Sequence, residues 1–307
     1  MNEKLNKFGT APVFFTAIST ILGAVLFLRF GFANGTLGFT GVIIIIILGH
    51  LVTIPTALAI SEIATNKRVE GGGEYFIVSR SFGMNIGATI GLFLYISQAI
   101  SIAFYVIAFT ETFQFLFDFL LDKYNFVLPR QAISVPVMIL LSMLILRKGA
   151  NTGVKTLYLV VGLLALSMVM FFLGAPDYSL QPGFSFAEVS KFKNSDQLFY
   201  IFAIVFPAFT GMTAGVGLSG DLKNPARSIP IGTIGATITG MILYLFVAYK
   251  LTISASPADL INNQLVMSDI ALWGKIIIPN FDAAARWKNA DPLARNTVQP
   301  VIIYCFD

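Results

Sequence analysis

The 307-residue chain has little of what a water-facing domain needs: 12% of its residues are charged against 56% hydrophobic, and its mean hydropathy is +0.79. Soluble domains carry about 25% charged residues, so this composition cannot cover a core with a wetted surface. A single cysteine, Cys305, excludes an intramolecular disulfide and a cysteine-based metal cluster. A single histidine, His50, argues against a zinc site or a histidine-centred triad. The apolar runs hold no paired-carboxylate cluster, metal-ligand set or activated nucleophile, so neither an enzyme nor a cofactor is expected. No cleaved signal is expected either, because Met1 to Thr10 is short and polar and the first apolar run is long enough to span.

What the chain does have is long apolar runs. A spanning helix needs roughly 20 mostly apolar residues. Seven runs approach or reach that length, at 11–32, 40–60, 84–115, 131–146, 156–174, 198–220 and 228–249. The fourth is short, and the third is long enough to tilt or extend beyond the bilayer. This predicts an all-α integral membrane protein whose partner is the lipid bilayer. With the N-terminus inside, the cytoplasmic connections hold Lys4, Lys7, Lys67, Arg68, Arg80, Arg147, Lys148, Lys155, Lys223 and Arg227, ten in all. The opposite side holds only Lys123, Arg130, Lys191 and Lys193, four, which places the N-terminus in the cytoplasm of a multi-pass cell-membrane protein. The net charge of +4 follows from this sidedness and does not call for nucleic acid. Arg29 and Lys250 lie near span ends, within reach of the interface along their own stems.

The sixth run contains the most unusual stretch, Phe206 to Asp221, with Pro207 and the glycines Gly211, Gly215, Gly217 and Gly220. In hydrocarbon a backbone group without a partner costs several kcal/mol, so a break at mid-depth is tolerated only where it faces protein or a water-filled site. Such a break points to a transporter's substrate site. The same glycines also suit a bent helix packed closely on a neighbour, through Gly211-x-x-x-Gly215. The first run has a counterpart, Ser19-Thr20-Ile21-Leu22-Gly23-Ala24-Val25, a small polar patch around a glycine.

Elsewhere, His50 is expected to hydrogen-bond within the bundle, and Glu111 to sit toward the outer end of the third span. The loop around Gly71-Gly72-Gly73 reads as a flexible turn onto an interfacial segment, since it lacks the spacing of a phosphate-binding loop. Pro230 suits the first turn of the seventh span.

Four stretches together resemble a known group: 21–29 in the first span, 64–83 after the second, Tyr105 through Thr112 in the third, and Phe206 through Pro230. The chain is similar, from about Ala11 to Lys275, to the amino acid–polyamine–organocation superfamily of secondary transporters. Within that superfamily it is most like the cation–chloride cotransporters. The resemblance implies a fold of two inverted five-span repeats, with spans 1 and 6 unwound around the substrates. It implies potassium at Thr20, Ile21, Tyr105, Pro207 and Thr210, and chloride on the backbone amides of Gly23, Ala24 and Val25 and of Gly211, Met212 and Thr213. Oxygens would replace the cation's hydration shell, while helix N-termini would face the anion.

Thr20 stands where the family has asparagine, and Leu22 where it has tryptophan. Glu62 and Gly72-Gly73-Glu74-Tyr75 look more like the amino acid permeases of the same superfamily, so amino acid transport is the alternative to ion transport. The family's sodium site draws on an eighth span, whereas residues 280–307 form a polar tail that does not match the family. The expectation is a transporter core at 1–279 from a truncated or frame-disrupted copy, and a fragment that transports nothing is a third reading. Potassium, chloride, sodium or amino acids are the implied small partners, and the resemblance also allows a homodimer.

Overall fold

The computed structural model describes residues 8–66, 71–174, 195–263 and 266–272; the polar tail at 280–307 lies outside the described residues. The described residues form α1 (Thr10–Ile21), α2 (Ala24–Asn66), α3 (Gly73–Phe82), α4 (Met84–Glu111), α5 (Gln114–Tyr124), α6 (Gln131–Leu173), α7 (Ser195–Phe209), α8 (Pro225–Ser254), α9 (Pro257–Asn262) and α10 (Val266–Ile270). A 3-10 helix, Thr210–Asp221, continues directly from α7. Extended pairing among the described residues is limited to a bridge between Phe8 and Leu222.

Five helical stretches are long and apolar enough to cross a membrane: Thr10–Asn66, Met84–Glu111, Thr156–Leu173, Asp196–Asp221 and Pro225–Ser254. The chain is therefore a multi-pass, all-α membrane protein. The first stretch has 57 residues. At 1.5 Å per residue that is about 85 Å, against a hydrocarbon core of about 30 Å. Gly38 resolves the excess by leaving the helical region, with φ 70° and ψ 177°. A side chain is strained at that φ, so a glycine is needed for the chain to turn on one residue. Both limbs, 24–37 and 39–66, then reach the same part of α8. Asn34 bonds to Thr252 at 3.0 Å, and Phe39 meets Tyr249 edge-on.

Three expected boundaries change. The loop expected at 147–155 is helical, and α6 runs unbroken for 43 residues. No proline interrupts it after Pro136, and its backbone continues to satisfy itself. The third span ends at Glu111 instead of 115, because the chain turns at Thr112 and Phe113 before α5. The seventh span begins at Pro225, which takes the first-turn role expected of Pro230. Pro230 lies a turn further in and deprives the Ala226 carbonyl of its usual donor.

The core lies where α1, α2, α7 and α8 meet. Tyr244, Phe30, Phe209, Ile21, Leu26 and Ile201 are fully buried there. By contrast α4 exposes Leu92, Phe93 and Ile100, a surface suited to hydrocarbon. Between helices in lipid the hydrophobic driving force is largely absent, so close approach and interhelical hydrogen bonds must hold the bundle. Glycines supply that approach. Gly232 packs on Val13, Gly240 on Ile21 and Gly49 on the Phe209 ring, each too tightly for a Cβ. Gly31 and Gly35 receive Val266 and α9 in the same way.

Candidate substrate site at the crossing of two interrupted helices

Two helices cross in opposite directions at the centre of this core. Along α1 and its approach, Phe8 pairs with Asp221 and Lys223 through backbone bonds of 2.8 Å each. Val13 lies on Gly215, and Thr20 and Ile21 lie on Gly211. Residue number rises along one helix as it falls along the other. A Cβ at Gly211 would stand 2.8 Å from Ile21 N and from Thr20 Cβ, so the two backbones touch there.

On the α1 side the helix breaks at Leu22 and Gly23. Leu22 takes φ −88° and ψ 32°, its amide still reaching Ile18 O at 2.9 Å. The Gly23 amide folds back to Thr20 O at 3.2 Å, and the Leu26 amide reaches Gly23 O at 3.1 Å. A side chain at Gly23 would meet Thr20 O at 2.9 Å, so only glycine makes this turn without displacing the backbone. The break releases the Ile21 carbonyl from the ladder. It also makes Ala24 and Val25 the first residues of α2, where amides have no intrahelical acceptor. The hydroxyls of Ser19 and Thr20 both donate to Thr16 O, at 3.0 and 2.9 Å, which leaves their oxygens free to accept.

On the α7 side the irregularity takes another form. The expected unwinding is a change of helix type: the backbone tightens from α to 3-10 at Thr210 and stays so for 12 residues. Runs longer than three or four residues are uncommon for a 3-10 helix, and they mark hinges or strain. The i→i+3 pattern engages the amides of Met212 and Thr213 with carbonyls three residues back, so of the two expected amide groups the open one is at Ala24 and Val25. Pro207 has no amide hydrogen and leaves the Ala203 carbonyl without a donor. Thr210 donates its hydroxyl to Pro207 O at 2.8 Å and remains exposed.

Thr20, Ile21 and Gly211 are thus brought into contact, with Thr210 adjoining Gly211. Tyr105 lies on a half-exposed face of α4, its phenol within electrostatic reach of the Tyr244 phenol of α8. Its ring meets Phe104 at 6.0 Å, and its hydroxyl has no hydrogen-bond partner among the described residues. Glu111, at the end of the same helix, pairs with Arg29 of α2 at 3.7 Å, both side chains being 14% exposed. The sequence places these two charges at span ends separately, and only the fold joins them. His50 bonds within the bundle, its Nδ1 lying 2.8 Å from Ile46 O. A carbonyl can only accept, so Nδ1 carries the proton. The same ring lies 5.0 Å from Phe209 at the α-to-3-10 junction. The glycine loop after α2 is a docked turn: Gly71 and Gly73 touch Gly220 and Gly217, and Gly72 and Gly73 take positive φ. No group of three or more metal-ligating side chains gathers among the described residues.

One residue at the site has no signal in a reading of motifs. Tyr244 of α8 is completely buried and donates its hydroxyl to the released Ile21 carbonyl at 2.8 Å. Its only advance sign is a tyrosine inside an apolar run, where a buried hydroxyl needs a partner.

These features define a class: a multi-pass helical membrane protein in which a helix broken at Leu22–Gly23 crosses, antiparallel, one that changes from α to 3-10, the kind of irregularity by which transporters expose backbone groups. Comparison with known proteins agrees. The family described as amino acid permease matches residues 12–278. Solute carrier family 12 member 1 of Homo sapiens is 34% identical over 259 residues, covering 79% of this chain and 23% of that protein. Solute carrier family 12 member 2 of Homo sapiens is 32% identical over 258 residues, covering 79% and 21%. Solute carrier family 12 member 9 of Danio rerio is 28% identical over 310 residues, covering 88% and 34%. The chain belongs to the amino acid permease family. It spans between a fifth and a quarter of the length of the first two relatives.

Proposed function

We propose that the chain is the substrate-binding part of a secondary active transporter that moves small ions across the cell membrane by alternating access, in the manner of the cation–chloride cotransporters. The excess of basic residues in the connections expected to be cytoplasmic supports an N-terminus on that side. The observation that carries the reading is the break at Leu22–Gly23, set against Gly211 of the crossing helix. It offers both kinds of ligand at one place. The Ile21 carbonyl and the hydroxyl oxygens of Thr20 and Thr210 suit a dehydrated cation such as potassium. The first-turn amides of α2 at Ala24 and Val25, with the positive end of its dipole, suit an anion such as chloride. Pro207 and Tyr105 complete the proposed cation set, and sodium is a further coupling ion.

A second reading rests on the same amides, because a helix N-terminus binds a substrate carboxylate as readily as chloride. The match to the amino acid permease family favours it. Uptake by the chain in proteoliposomes separates the two. Chloride-dependent uptake of radiolabelled rubidium is expected. Chloride-independent uptake of an amino acid, without rubidium uptake, would replace ion transport by amino acid transport. No uptake of either would leave a non-transporting fragment.

A further inference from the structure

We propose that Tyr244 is a positioning residue of the site, its hydroxyl holding the Ile21 carbonyl in the orientation that receives the cation. The inference rests on the transporter reading above and adds a residue from α8 to it. Four observations carry it. The hydroxyl donates to Ile21 O at 2.8 Å, across 223 residues of sequence. That carbonyl is the one set free by the break: residue 23 is a bend outside any hydrogen-bonded turn, so the amides of Ala24 and Val25, its donors in a continuous helix, do not close back on it. The phenol is wholly buried and cannot turn to water. Its ring is held edge-on between Phe30 at 4.9 Å and Phe209 at 5.0 Å.

Tyr244 therefore touches the chain before the break at Ile21, after it at Phe30, and the last residue of α7 at Phe209. One turn earlier on α8, Gly240 lets Ile21 approach so closely that a Cβ would lie 2.6 Å from its Cγ2. A carbonyl oxygen has two lone pairs, and the phenol occupies one. The other is left pointing along a fixed direction. A ligand oriented before the ion arrives gives affinity by reducing what must be ordered on binding. A phenol that only satisfied a buried carbonyl would affect folding; one that orients a cation ligand affects ion affinity as well.

The test is rubidium uptake by the full chain in proteoliposomes, comparing wild type, Tyr244→Phe and Asn34→Leu. Tyr244→Phe keeps the ring between Phe30 and Phe209 and removes only the hydroxyl. It is expected to raise the half-saturating rubidium concentration by roughly threefold to tenfold, the size of one net hydrogen bond, with a smaller change in maximal rate. Asn34→Leu removes a different buried bond between α2 and α8, that to Ala248 O at 3.2 Å, away from the break. It is expected to lower thermal stability while leaving half-saturation unchanged. A half-saturation in Tyr244→Phe equal to wild type, or moved as much by Asn34→Leu, overturns the inference. Should Tyr244→Phe not be recovered folded, 3-fluorotyrosine at 244 keeps ring and hydroxyl and makes a stronger donor. A shifted half-saturation is then expected, and an unmoved one overturns the inference. A wild-type chain that takes up no rubidium refutes the ion-transport reading, and this inference with it. Wild-type uptake with an unmoved variant refutes the inference alone.

Discussion

Replacing Gly211 with alanine tests the crossing directly. The added Cβ would stand 2.8 Å from Ile21 N, Thr20 Cβ and Thr20 Cγ2. Two of these atoms belong to or branch directly from the α1 backbone, so a rotamer change cannot clear them. Carbon atoms in contact prefer about 3.5–4.0 Å, so the helices must separate by most of an ångström at their closest point. Overpacking of this kind costs about 1–3 kcal/mol, and with backbone in the way the upper half of that range applies. Against it, alanine in place of glycine in a helix returns about 1 kcal/mol of chain entropy. The balance is a loss of about 1–2 kcal/mol, read as a lower midpoint of thermal unfolding in detergent. Gly235→Ala is the control. Its Cβ would meet Phe14 at 3.6 Å, an ordinary contact, so only the entropic gain remains and the midpoint should hold or rise. If Gly211→Ala and Gly235→Ala melted alike, at or above wild type, the backbone contact between α1 and the 3-10 helix would be refuted.

Other expectations follow from single contacts. Glu111→Gln should destabilise by about 1–3 kcal/mol, between the values for exposed and fully buried pairs, because it leaves Arg29 largely enclosed without its counter-charge. Adding Arg29→Gln should recover part of that loss in a double-mutant thermal-unfolding cycle; strict additivity would show that the two charges do not interact. Thr210→Val should weaken the potassium or rubidium dependence of uptake while leaving membrane insertion intact, and unchanged cation affinity would return Thr210 to a structural role. Lys250→Met removes the ammonium that donates to Gly174 O at 2.6 Å, at the C-terminal end of α6. A loss of about 0.5–2 kcal/mol is expected in thermal unfolding, and no loss would mean that water replaces the contact fully.

How much of the site was legible depends on the range of the interaction that makes each part. Gly23 and the glycines from Gly211 to Gly220 could be found in the sequence because a break is a local event. It needs a residue without a side chain or without an amide hydrogen, and Gly and Pro are the residues that provide this. The form of the second irregularity was not legible. A glycine-rich span with Pro207 is equally compatible with an open gap and with a tightened helix, and its packing on Val13, Thr20 and Gly71 accompanies the choice of the 3-10 form.

By itself the sequence determined that this is a membrane protein, where its apolar segments lie, and where two of them are interrupted. Those properties are sums over neighbours along the chain, and hydrocarbon imposes them on each segment alone. Tertiary structure decided which groups the interruptions meet: Ile21 with Tyr244, Thr20 with Gly211, Arg29 with Glu111. It also decided that one 57-residue helical stretch turns back at Gly38. A carbonyl freed at residue 21 needs a donor from somewhere, and nothing near it in sequence supplies one. Only the packing of α8 against the break, through Gly240, brings the hydroxyl of Tyr244 within 2.8 Å.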